Sequence, residues 1–204
     1  MKKMTFFFLL AGLLFYGPQT AAAEDPWQLK MDRDGIKVYT RKVQGSPVLE
    51  FLAETQNNAP LEKATGLYEQ VDRMTQWFHR SKDVLLLQEN SKDEVLIYFA
   101  ADLPWPLSDR DGVCRRVKSL DPADGSVIYK INSAGDLYPR QKGRVRVPYI
   151  NAEWHFTPLP EGGTSISYRM HTSIGGFIPP ALVNNFTLSL PFKTLQKFRA
   201  LLES

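Results

Sequence analysis

Residues 175–204 read GGFIPPALVNNFTLSLPFKTLQKFRALLES, and their reading decides the fold. Two glycines and two prolines open the stretch. Apolar residues then recur at Leu182, Phe186, Leu188, Phe192, Leu195, Phe198, Leu201 and Leu202. That spacing is helical, and a helix this apolar has to lie against a large apolar surface. Most of what precedes it alternates with the period of strands. The pattern predicts one α+β unit, a curved sheet closed by this helix with a cavity between them. Pro191 falls inside the helical pattern, where it removes a backbone hydrogen bond, and is expected to act as a hinge. Residues 181–190 then form a first half-helix and 192–202 an apolar lid, with Phe186, Leu190, Leu195 and Phe198 facing a ligand.

Working back along the chain, 164–173 and 143–157 read as a last hairpin. Residues 126–133, 109–120, 94–103 and 84–89 read as further strands bounded by Gly, Pro, Asp and Asn. Pro104 and Pro106 interrupt this series because proline cannot donate to a ladder. Helical spacing predicts helices at 60–71, with Asn58 as a cap and Pro60 in the first turn, and at 72–80, with Trp77 and Phe78 in the core. Residues 36–43 and 48–56 make an opening hairpin, and 27–34 a helical lead-in.

Strand parity assigns faces. On 94–103 one set is wholly apolar (Val95, Ile97, Phe99, Ala101, Leu103) and is expected to face the helix and cavity. On 109–120 both sets mix charge with small or apolar residues, so parity leaves Cys114 and Arg116 open. On 143–157 the set holding Arg144 and Arg146 becomes apolar only after Pro148. Arg116 and Arg146 either snorkel to water at strand ends or meet a polar ligand group inside. His155 and His171 fall on the outward parity.

At the other end of the chain, Lys2-Lys3, the apolar run 6–16 and Ala21-Ala22-Ala23 form the pattern of a secretory signal peptide cleaved near Ala23. The expected address is the periplasm or the exterior. About 180 residues remain, enough for a single domain, 24–204. Removing Lys2 and Lys3 leaves 23 basic and 22 acidic residues, a balance that argues against nucleic acid or a polybasic lipid contact. Cys114 is the lone cysteine, so stability has to come from packing and not from a disulfide. No motif calls for a metal or cofactor, and none is expected.

Three segments, in order, resemble START (StAR-related lipid-transfer) domains. They are PWPLSDRD at 104–111, PRQKGRVR at 139–146 and GGFIPPALVN at 175–184. DGIKVYTR at 34–41 and the helix leading to Trp77 are also similar. The resemblance, to an exported bacterial member, implies a helix-grip fold: a curved antiparallel sheet around a long C-terminal helix, enclosing a lipid-sized tunnel. It further implies that Arg116 and Cys114 point inward. Two positions depart from the family pattern. Ile97 stands where sterol-binding members place an acid beside that arginine, and Ser173-Ile174 replaces Asp-Pro.

The resulting expectation is a monomeric, non-catalytic protein that binds and carries a phospholipid, fatty acid or sterol-like molecule. Ile97, Phe99, Cys114, Arg116, Arg146, Phe186, Leu190, Leu195 and Phe198 would contact the ligand. Leu103, Trp105 and Leu107 would form a mouth loop in transient contact with a membrane, Trp105 serving as an interfacial anchor. A ligand-gated sensor and a cyclase- or hydrolase-like helix-grip enzyme stay open as alternatives. The enzyme would require a converging acid and base in the pocket.

Overall fold

The computed structural model describes residues 25–173, 175–176, 178 and 180–204. The predicted signal peptide lies outside the described residues, as do Ile174, Phe177 and Pro179 of the turn before the last helix. The described chain runs β1 Gln28–Arg33, β2 Ile36–Arg41, β3 Glu50–Asn57, α1 Leu61–Glu69, a 3-10 turn Val71–Arg73 and α2 Met74–Trp77. It continues β4 Ser81–Ser91, β5 Glu94–Ala101, β6 Asp109–Leu120, β7 Val127–Ser133, β8 Arg144–Arg146, β9 Tyr149–Pro158, β10 Thr164–Ser173 and α3 Pro180–Glu203. The strands make one sheet in the order β1-β2-β3-β10-β9-β7-β6-β5-β4, antiparallel along that path, while β8 pairs in parallel with β6.

The expected helical lead-in is an edge strand instead. Asp34 and Gly35 both have positive φ (54° and 70°), the geometry of a two-residue hairpin loop whose twist suits the flanking strands. That turn returns the chain directly and pairs β1 with β2.

The sheet curls around α3, a helix-grip arrangement, and α3 packs against β2 and β3. Phe192, Leu195, Phe198 and Leu202 are buried there. Phe198 meets the rings of Trp77 (5.0 Å), Trp154 (5.7 Å) and Phe156 (6.1 Å), so aromatic side chains fill the closed end of the grip. Polar contacts pin the same half of the helix. Lys63 Nζ donates to the Leu202 carbonyl at 2.7 Å, and Arg199 donates to the Asp34 carbonyl at 2.7 Å. Thr194 Oγ1 accepts the His79 amide at 3.1 Å.

A second, smaller core covers the opposite face of β5 and β6. Leu96, Tyr98, Ala100 and Val113 are buried there with Ala134 and Tyr138 against them, the Tyr98 and Tyr138 rings 4.6 Å apart. The loop after β7 thus packs on a face that alternation would otherwise assign to water.

Candidate functional site

Between the first half of α3 and the sheet lies a cavity of about 200 Å³. Val183, Phe186, Thr187 and Leu190, three and four residues apart, present one face of α3 to it. Ile97, Phe99, Cys114, Ile131, Ile150 and Ala152 line the sheet side, and Tyr68, Trp77, Trp154 and Tyr168 form an aromatic floor. Phe99 lies over Gly112, where a Cβ would stand 2.5 Å from its ring, so only glycine lets that ring lie against the strand. The buried Cys114 thiol is pushed up to about 12 by desolvation and stays protonated, a small apolar wall residue in its chemistry.

Six of the nine residues expected at the ligand line this space: Ile97, Phe99, Cys114, Arg116, Phe186 and Leu190. Three do not. Leu195 and Phe198 are fully buried behind the aromatic floor. Helical periodicity marked them as facing inward, but inward at that level of α3 is solid core. The lid is accordingly not 192–202, which is the anchored part of the helix. The cavity-facing part is 183–190, and Pro191 stands at the junction of the two.

Arg146 is the third exception. The chain breaks between β8 and β9, and this one-residue reset reverses the faces on either side. Val147 turns into the cavity and Arg146 turns the other way. There Arg146 forms a two-pronged ion pair with Asp111, Nε–Oδ1 at 2.9 Å and Nη2–Oδ2 at 3.1 Å. It also donates to the carbonyls of Gly135, Tyr138 and Pro139, tying down the loop that covers Tyr98. Its work is to hold a loop.

Arg116 lies at the deep end, 7% exposed. Nη1 donates to the Tyr68 carbonyl at 3.1 Å and Nη2 to the Glu69 carbonyl at 3.3 Å. These carbonyls end α1, whose last turn carries no basic residue of its own. A cation there satisfies orphan acceptors and meets the negative end of the helix dipole. The guanidinium also faces the rings of Tyr68 (5.2 Å) and Tyr129 (5.8 Å). Beside it, Glu69 accepts from Tyr129 Oη at 2.6 Å and from Lys118 Nζ at 2.8 Å. Partial burial pushes the Glu69 carboxyl up. Those hydrogen bonds, with the charges of Lys118 and Arg116, nevertheless hold it below the usual value. The replacement of an acid by Ile97 is therefore answered from within the protein, by backbone carbonyls.

The mouth brings together Leu103, expected there, with residues the sequence did not single out. His79, Arg80 and Ser81 follow α2, Asp102 and Leu103 follow β5, and Val48 and Leu49 precede β3. Arg80 Nη1 pairs with Asp102 Oδ2 at 3.2 Å, and its guanidinium lies 5.5 Å from the Phe186 ring of α3. The His79 imidazole is pushed down to about 4, first by burial and then by the charges of Lys193, Lys197 and Arg80. In the neighbouring loop Leu107 is partly buried and Trp105 is 92% exposed. Of the outward histidines, His171 Nε2 lies 3.0 Å from Ser46 Oγ, and neither it nor His155 borders the cavity.

A curved antiparallel sheet gripping a C-terminal helix around an apolar cavity defines a ligand-enclosing class of fold. A family model described as START domain matches residues 19–204, and the chain belongs to that family. It is 35% identical over 195 residues to an uncharacterised protein of Pseudomonas aeruginosa, covering 96% of this chain and 95% of that one. It is 26% identical over 165 residues to mouse phosphatidylcholine transfer protein, covering 78% of this chain and 75% of the relative. The solved STAR-related lipid transfer protein of Xanthomonas axonopodis superposes with a TM-score of 0.82 at 33% identity, over 88% of this chain and all of that one.

Proposed function

We propose that this protein binds a lipid between α3 and the sheet and carries it through an aqueous compartment without altering it covalently. The observation that carries this reading is the cavity itself, walled by aliphatic and aromatic side chains. Burying an acyl chain there returns roughly 0.8 kcal/mol per methylene removed from water. The relatives named for lipid transfer and phosphatidylcholine transfer support the same reading. A non-catalytic role fits the Cys114 thiol, which is held protonated, and the Arg116 guanidinium, which is occupied by main-chain acceptors.

The cavity, at about 200 Å³, is smaller than the roughly 300–1,000 Å³ of most small-molecule sites, so a lipid needs the wall to move. The yielding side is 183–190 of α3, hinged at Pro191, with Leu103, Trp105 and Leu107 meeting the bilayer as the ligand crosses. The signal-peptide pattern at 1–23 supports the periplasm or the exterior as the site of this traffic, with a monomer of the 24–204 domain as the carrier. Native mass spectrometry of protein taken from the periplasm, together with transfer between labelled vesicles, tests the proposal. A bound lipid and protein-dependent transfer are expected. Ligand-free protein with no transfer overturns it.

A further inference from the structure

We infer that Arg80 is the docking point for an anionic head group, so that the ligand is an acidic amphiphile held tail inward. This rests on the lipid-binding reading above and adds the chemistry of the polar end. Three arginines border the cavity. Arg110 and Arg116 are 5% and 7% exposed, and both are turned to main-chain carbonyls, Arg110 to those of Ser108 and Gly175. Arg80 stands at the water's edge, its side chain 29% exposed, against one oxygen of an Asp102 that is itself 51% exposed. A guanidinium offers a planar fork of donors suited to two oxygens of a carboxylate or phosphate. A single carboxylate oxygen at 3.2 Å leaves that fork half used.

The backbone gives an independent reason to single out this position. Arg80 has φ 65°, in the left-handed region. A long side chain there carries a steric cost that glycine or asparagine would largely avoid. The conformation places the guanidinium beside Phe186, on the cavity-lining half of α3. An anionic group deeper in the apolar cavity would lose its hydration with little in return. At Arg80 it stays in contact with water, next to a His79 held neutral by burial and surrounding cations. Asp102 then acts as the internal stand-in for the head group, displaced when the ligand seats.

The test compares three probes with the same chain, oleate, oleyl phosphate and oleyl alcohol, by titration of the whole mature protein. At least one anion is expected to bind about tenfold tighter than the alcohol, the size of one charge-assisted hydrogen bond. The tighter anion tells carboxylate from phosphate. R80Q is expected to bring the anion-to-alcohol ratio close to one. D102N is expected to raise anion affinity a few-fold by removing the competitor, which decides the matter even if R80Q folds poorly. Equal affinity for all three probes, or a ratio unmoved by R80Q and D102N, overturns the assignment while leaving lipid binding intact. Failure of every probe to bind overturns the lipid-binding reading and this one with it.

Discussion

Arg116 and Tyr68 are joined twice: the guanidinium donates to the Tyr68 carbonyl at 3.1 Å and lies 5.2 Å from the centre of its ring. One side chain from the sheet thus ends helix α1 and fixes the aromatic floor of the cavity. R116M, which keeps much of the volume but removes the donors, is expected to destabilise the unliganded protein by about 1.5–3 kcal/mol, the worth of a charged hydrogen bond in a buried setting. Urea unfolding checks this. An unchanged midpoint would show that the end of α1 does not depend on it.

The Asp111–Arg146 pair is buried on both sides, at 1% and 4% side-chain exposure. R146M strands the Asp111 carboxylate and is expected to cost about 3–5 kcal/mol. The double variant D111N/R146M should cost less than the sum of the two single changes, because no buried charge is left alone. A double-mutant cycle of unfolding free energies that proved additive would sever the link between the two residues.

His79 sets a pH dependence. The folded imidazole takes its proton only near pH 4, the free one near 6.5. Between these values the unfolded chain binds more protons, so stability is full above about 6.5 and declines as the pH falls toward 4. H79Q, with no proton to gain, should flatten the denaturation midpoint across that window. The same slope in both proteins would place the dependence elsewhere.

Pro191 separates the cavity-lining half of α3 from the pinned half. P191A restores an amide donor inside the helix and is expected to stiffen the junction and slow lipid transfer between vesicles several-fold, with stability equal or higher. Transfer at the original rate would leave Pro191 a structural feature only.

Period-two alternation placed β5 and the β9 residues after Pro148 on the correct faces, and the bounds of β6 and β10 agree with it. It failed where the chain slips. The break between β8 and β9 leaves no sign in composition except Pro148, and across it Arg146 changes sides. β1 escaped notice because every residue of it but Met31 is exposed, so an edge strand carried no alternation to read. Helical spacing found most of the buried face of α3, but it counted Leu182, which is 45% exposed, and passed over Val183 and Thr187, which are 5% and 7% exposed. It could not divide that face into wall and core, since Leu190 and Leu195 differ only in what the sheet sets opposite them. His79 and Arg80 belong to no motif, and their place at the mouth depends on the turn after α2 and the end of β5 meeting in space.

The loop that lays Tyr138 on Tyr98 has a consequence for how the wall behaves over time. It gives β5 a packed layer on each face, so that strand should open only with the whole domain. The first half of α3 is packed on one side and ends in a partly exposed surface where Leu182 is 45% accessible. Amide protons of β5 should therefore exchange with solvent at the slow rate of global unfolding. Those of 183–190 should exchange early and become protected when the cavity is filled. The asymmetry makes the helix the readout of occupancy, and the strand behind the ligand its fixed reference.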